Sequence, residues 1–344
     1  MIPEESKRGN FGGAIGFILA GAGSAIGLGN IWRFPYTAGE SGGGAFVLVY
    51  LLFVVIIGLP VLWAELAMGR ASQRNPVGAY KVLFPSRLWP AVGGLGVVTG
   101  FAILAFYSVV AGWTLGYLYK AATGAFSSGL DAAASEAAFT GLIADPLVAI
   151  GLTGGFMLLS ILVVRGGIKG GIELAARILM PLFFALLFIL AIRSVTLEGA
   201  GAGISFLFKP DFSKLTGGVI IGALGQALFS LSLGMGAMMT YGSYLPRTSS
   251  LAAAGAWVAF FDTAIALLAG LIIFPALFAA GVDPGAGAGL VFVVLPTIFD
   301  QLPAGNLFAI AFYALLAIAA LTSTISLLEV VTAYFVDEWQ AGRE

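Results

Sequence analysis

The chain is 344 residues long, 60% hydrophobic and only 10% charged, with a formal net charge of −1 and a mean hydropathy of +1.03. Soluble domains carry about 25% charged residues, so this chain lacks the polar surface to face water on every side. Cysteine and histidine are both absent, which excludes disulfides, thiol or imidazole catalysis and the usual transition-metal ligand sets; the near-zero charge leaves no electrostatic footprint for nucleic acid.

A helix needs about 20 apolar residues to cross a ~30 Å hydrocarbon core. Eight segments meet that length: 12–36, 43–68, 90–120, 146–165, 172–194, 215–243, 251–281 and 304–335. The first belongs to an uncharged run, Gly9–Trp32, that is too long for a signal-peptide h-region and reads as a span. The fifth is the weakest, because Glu173 and Arg177 must lie near an interface. Pro, Gly and charge mark the connections, as at Asn75-Pro76, Asp145-Pro146, Lys209-Pro210-Asp211 and Asp283-Pro284-Gly285. With the N-terminus inside, Lys7, Arg8, Arg70, Arg74, Lys81, Arg87, Arg165, Lys169, Arg177, Arg247 and Arg343 fall on the cytoplasmic side. Arg33, Lys120, Arg193, Lys209 and Lys214 fall outside, and this asymmetry favours the N-inside topology.

Two spans carry glycine clusters where a helix interior should be continuous. The first holds Gly21, Gly23, Gly27 and Gly29; the sixth holds Gly225, Gly234 and Gly236 around Ser230 and Ser232. Each interior glycine costs a helix about 1 kcal/mol relative to alanine. One reading is close helix packing through small residues, as Gly23 and Gly27 would allow. The other is local unwinding, where freed carbonyls coordinate a cation and half-helix N-termini face an anion. Two interruptions five spans apart favour the second.

Polar residues share that depth. Asp262 stands within the seventh span, where a carboxylate costs about 2.5–3.5 kcal/mol on insertion scales. With no lysine or arginine inside a nearby span, its cheapest partner is a bound cation; a protonated or hydrogen-bonded acid is the plainer alternative. In the eighth span, Thr322-Ser-Thr-Ile-Ser326 could offer hydroxyls to a hard ion or could bond back to the preceding turn. No nucleophile–base set is apparent, so the chain is not expected to be an enzyme.

Several ordered motifs resemble one family. Gly23-Ser-Ala-Ile-Gly-Leu-Gly-Asn-Ile-Trp-Arg-Phe-Pro35, Gly42-Gly-Gly-Ala-Phe46 and Gly58-Leu-Pro-Val-Leu-Trp-Ala-Glu-Leu-Ala-Met-Gly-Arg70 are similar to the neurotransmitter:sodium symporters. Gly112-Trp-Thr-Leu-Gly116, Phe229-Ser-Leu-Ser-Leu-Gly234 and Leu321-Thr-Ser323 continue the match. The resemblance implies an all-α membrane protein with the LeuT-type inverted-repeat fold. Eight transmembrane helices are expected, spans 1 and 6 discontinuous, with spans 9 onward lacking, so the chain is read as C-terminally truncated. Residues 1–195 would form the first five-helix repeat and 215–336 part of the second, with extracellular loops at 122–145, 196–214 and 282–303.

The resemblance further implies sodium-coupled symport across the cytoplasmic membrane, with two sodium ions, the lipid bilayer and a small amino acid as partners; a homodimer is one assembly it admits. One sodium site would use Ala25, Asn30, Ser230 and Asp262, and the second Gly23, Ile26, Ala319, Thr322 and Ser323. Chloride-dependent relatives carry a neutral residue at the place of Asp262 and bind the anion near Tyr50, Gln226 and Ser230, so chloride is not expected to be required. The substrate pocket would be lined by Ser24, Ala25, Leu28, Gly29, Ile103, Tyr107, Val110, Phe229, Ser230, Ser232, Met235, Ser323 and Leu327. Monoamine carriers have an aspartate where Gly27 stands; with glycine there and apolar walls, a neutral hydrophobic or aromatic L-amino acid is expected. Arg8 and Asp337 with Tyr244 nearby would form the cytoplasmic gate, under Phe11, and Arg33 the outer one above Tyr107 and Phe229. The rival readings are a truncated, non-transporting fragment and a membrane amino-acid sensor.

Overall fold

The structure, a computed structural model, describes residues 11–126, 129–285 and 287–342, and the regular structure there is helical. In chain order the helices are α1 (Ala14–Ala25), α2 (Phe34–Glu40), α3 (Gly44–Phe53), α4 (Leu59–Ser72), α5 (Pro76–Leu83), α6 (Trp89–Ala122) and α7 (Ala132–Ala144). They continue as α8 (Pro146–Arg165), α9 (Leu174–Val195), α10 (Ala200–Phe208), α11 (Gly217–Ser230), α12 (Ala237–Ser243), α13 (Leu251–Ala279), α14 (Val294–Gln301) and α15 (Gly305–Glu338). Wider π-helical turns lead into α2, α4 and α9 at Gly29–Arg33, Val54–Gly58 and Ile168–Glu173.

Starts follow local chemistry. Asn75, Asp131, Asp145, Thr216 and Ser250 each accept a hydrogen bond from a first-turn N–H of the helix they precede, satisfying donors the helix itself cannot. Proline opens α5 and α8, where a missing N–H costs nothing.

Six continuous helical stretches are long and apolar enough to cross a membrane: Gly44–Ser72, Trp89–Ala122, Pro146–Arg165, Ile168–Val195, Leu251–Ala279 and Gly305–Glu338. The two remaining predicted spans, the first and sixth, are the broken ones. The first is divided between α1 and the Gly29–Glu40 stretch, the sixth between α11 and α12. The long α13 and α15 flank α1 and α9, and α15 also lies along α6, so the breaks sit among the most buried helices.

The connecting segments 122–145, 196–214 and 282–303 carry the short helices α7, α10 and α14, such as Ala132–Ala144, each too short to cross. Glu173, at the start of the fifth span, is 4% exposed. Its carboxylate accepts from Gly12 N at 2.7 Å and from Arg177 Nη2 at 2.6 Å, so it secures the start of α1.

Candidate functional site

The first break follows from Ile26, which leaves α1 with extended backbone (φ −72°, ψ 111°) after a last bond from its N–H to Ala22 O. In the second, Ser232, Gly234 and Gly236 take left-handed φ values of 56°, 78° and 77°; such backbone suits glycine and costs a serine energy. An outside group supports this turn: Gly234 N donates to Glu65 Oε1 at 2.7 Å, so the carboxylate of α4 answers the opened backbone of the sixth span.

Where the breaks face each other, Asn30, Ser230 and Asp262 converge. Asn30 Nδ2 donates to Asp262 Oδ1 at 2.7 Å, to Asp262 O at 2.9 Å and to Ser230 Oγ at 3.1 Å. Ser230 Oγ donates to the same carboxylate at 2.8 and 3.0 Å. All three side chains are buried, and among the described residues Asp262 has no ion pair. Asn30 Oδ1 accepts from Gly27 N at 3.0 Å, and Gln226 Nε2 donates to Gly29 O at 2.9 Å, so the freed main chain of the first break is held by amide side chains on both sides.

A second group of oxygens joins α1 to α15. Thr322 Oγ1 lies 3.2 Å from Ile26 O and 3.0 Å from Ala319 O; Ser323 Oγ lies 3.4 Å from Ile26 O and 3.5 Å from Ser24 O. Gly23 faces Thr322, and a Cβ there would come to 3.6 Å from it. At Gly27 a Cβ would come within 2.1 Å of Ser323 Oγ, so close approach requires glycine.

Between the groups is a small cavity lined by Ser24, Ala25, Gly29, Ile103, Tyr107, Phe229, Ser232, Met235, Ser323 and Leu327, all expected there, and by Ser326, which sequence reasoning missed. Ser326 lies three residues after Ser323 on one helical face, a spacing visible in the hydroxyl run. Three expected lining residues do not reach this cavity. Leu28 lines a separate cavity, Val110 is packed away at 0% exposure, and Ser230 is turned to Asp262. The central space is only about 10 Å³, about what one water needs. The second cavity, about 170 Å³, lies on the far side of Tyr107 and Phe229 and is lined also by Trp32 and Arg33. The two rings, 6.1 Å apart, partition the cavities, and the Arg33 guanidinium rests 4.5 Å over Phe229.

At the other end Tyr244 Oη donates to Glu329 at 2.6 Å, and Phe11 N donates to Tyr244 O at 3.2 Å. The Phe11 ring meets Phe17, Tyr241 and Tyr244 edge-on. Arg8 lies outside the described residues. Asp337 accepts from Asn75 N at 2.7 Å and Asn75 Nδ2 at 3.0 Å, a partner the sequence did not suggest.

A bundle of apolar crossing helices, two of them interrupted around a buried acid and a core of opened carbonyls, defines a multi-pass secondary transporter rather than an enzyme. A family model described as the sodium:neurotransmitter symporter family matches residues 8–133 and 139–344, and the chain belongs to that family. It is 45% identical over 329 residues to YhdH of Bacillus subtilis (strain 168), described as an uncharacterized sodium-dependent transporter, covering 96% of this chain and 73% of the relative. It is 38% identical over 340 residues to another such transporter, from Haemophilus influenzae, covering 96% of this chain and 74% of that one. Among solved structures it is similar to MhsT in complex with L-phenylalanine, with a TM-score of 0.91 and 50% identity over 98% of this chain and 76% of that one. The chain is thus a sodium-coupled transporter with the LeuT-type fold.

Proposed function

We propose that the chain carries a neutral hydrophobic or aromatic L-amino acid together with two sodium ions, without chloride, with its N-terminus on the cytoplasmic side. The observation that carries this reading is the convergence of Asn30, Ser230 and Asp262 from three separate segments onto one buried point. Neutral oxygens with one carboxylate suit a small hard cation, because they replace its hydration shell while one negative charge balances it.

The first ion would take oxygens from Ala25, Asn30, Ser230 and Asp262. The Asn30 N–H now facing the carboxylate must then give way to Oδ1, so ion binding exchanges the Asn30–Asp262 bond for metal contacts. The second ion would lie among Gly23, Ile26, Ala319, Thr322 and Ser323, whose oxygens already approach one another across α1 and α15. The substrate carboxylate would lie by Gly29 and Tyr107, at the positive end of the half-helix that begins there. Its side chain would extend toward Ile103, Phe229, Met235 and Leu327. The central space is too small for an amino acid until Phe229 and Met235 shift, and the flexible methionine can repack around differing side chains. The L-phenylalanine held by MhsT supports an aromatic substrate. With Tyr107 and Phe229 closing one side and Tyr244 with Glu329 the other, opening either would give alternating access.

The test is uptake of radiolabelled phenylalanine and leucine into proteoliposomes. An inward sodium gradient should drive accumulation, tryptophan and leucine should compete, and lysine and glutamate should not. Binding without accumulation, or competition by lysine equal to that by leucine, contradicts the proposal.

A further inference from the structure

The shortest of the six crossing helices marks the membrane surfaces. α8 has 20 residues, and at ~1.5 Å per residue it just matches the hydrocarbon thickness. Its ends, at Asp145 and Arg165, therefore lie at opposite interfaces. α8 is also the crossing helix least enclosed by the described residues, with 17% of its apolar window buried.

At the Asp145 end a trough of about 470 Å³ opens between the end of α6, α7 and the start of α8. Its floor is apolar: at Gly116 a Cβ would come within 2.8 Å of Leu142 and 3.0 Å of Leu152, while at Gly141 a Cβ would meet nothing within 4 Å. Two opposite charges, Lys120 and Asp145, belong to the same lining. Asp145 Oδ1 caps α8, accepting from Leu147 N at 2.9 Å and Val148 N at 3.2 Å, which leaves its other oxygen for a partner. Among the described residues neither Lys120 nor Asp145 forms an ion pair, though they share one trough.

We propose that this trough holds one zwitterionic phospholipid with a primary-ammonium headgroup, its phosphate against Lys120, its ammonium against Asp145 and an acyl chain along Leu142, Val148 and Leu152. Two charges of opposite sign beside an apolar floor match such a lipid from end to end. A net-anionic headgroup meets Lys120 but is repelled by Asp145, and a choline headgroup has no N–H to donate to the carboxylate. The proposal does not depend on the substrate reading.

The experiment is native mass spectrometry of the full chain in detergent, titrated separately with phosphatidylethanolamine, phosphatidylcholine and phosphatidylglycerol. One phosphatidylethanolamine should be retained in preference to the other two. Asp145→Asn keeps an acceptor for the α8 cap but loses the charge, so retention of phosphatidylethanolamine should fall about three- to fivefold, the scale of an exposed ion pair, to the level of phosphatidylglycerol. Lys120→Gln should lower both of those lipids. Gly141→Leu, which fills the trough and touches neither charge, should lower phosphatidylethanolamine as well. Equal retention of all three lipids by the unmodified chain, or unchanged phosphatidylethanolamine retention in the three variants, overturns the proposal.

Discussion

The Asn30 side-chain amide donates to both the carboxylate and the main-chain carbonyl of Asp262, at 2.7 and 2.9 Å, joining the first break to α13 across 232 residues of sequence. Because the carboxylate is fixed in place, in the proposed reading it supplies, beside the proposed sodium site, the negative charge that a chloride ion would otherwise bring. Replacing chloride by gluconate should therefore leave uptake unchanged. In Asp262→Ser the charge is gone, and uptake should fall at least tenfold in gluconate and recover in part when chloride is restored. Chloride dependence of the unmodified chain would contradict this.

Gly27 gives a test of the second ion group. An added Cβ would come 2.1 Å from Ser323 Oγ and 3.1 Å from its Cβ. Overpacking of this kind costs about 1–3 kcal/mol, and the displaced Ser323 leaves its carbonyl partners. Gly27→Ala should weaken sodium-dependent substrate binding by about tenfold, whereas Gly154→Ala, where a Cβ meets nothing within 4 Å, should leave it unchanged. Equal behaviour of the two variants in a sodium titration would refute the assignment.

Much of this was legible in the sequence. The glycines around Ile26 and those flanking Ser232 cost too much in a continuous helix, and both places are broken. Asp262 announced itself as a charge within an apolar run, and the motif around Asn30 indicated which oxygens to bring to it. Hidden were contacts made only by packing. Nothing local to Glu65 names Gly234 as its donor, and nothing in Asn75-Pro76 beyond a helix cap points to Asp337. Helices α7, α10 and α14 lie in segments expected as connections between spans, where too few apolar residues gather to cross a membrane. Val110 was expected in the pocket through the family resemblance, whereas here it is fully buried and does not line the central cavity.

Glu65 should prove to be a support for the break in the sixth span. A hydrogen bond to a charged group contributes about 1.5–3 kcal/mol, and Glu65→Ala removes the acceptor of Gly234 N. Thermal unfolding in detergent should show a lowered Tm and weaker substrate binding. Glu65→Gln keeps an acceptor and should lose less than half as much. Equal losses would show that the hydrogen bond is not what matters.

Asn75 links the connection between α4 and α5 to the end of α15. Its amide bonds Asp337 and Glu338, and Lys81 pairs with Glu338. Asn75→Asp keeps the cap on Val77 and Gly78 but sets a third carboxylate beside the other two. Because the chain has no cysteine, a single Ser326→Cys reports access to the central cavity. Labelling of that thiol by a membrane-impermeant maleimide from the Asn75 side should be several-fold faster in the Asn75→Asp background; an unchanged rate would show that this linkage does not restrain the closed state.

The most direct measurement is a sodium titration of radiolabelled amino-acid binding to the purified chain and to its isosteric Asp262→Asn variant. Binding to the unmodified chain should be saturable and require sodium. Loss of the charge should raise the half-saturating sodium concentration by about tenfold or more, the equivalent of at least 1.4 kcal/mol. Sodium-independent binding, or identical titrations for the two proteins, would contradict the account.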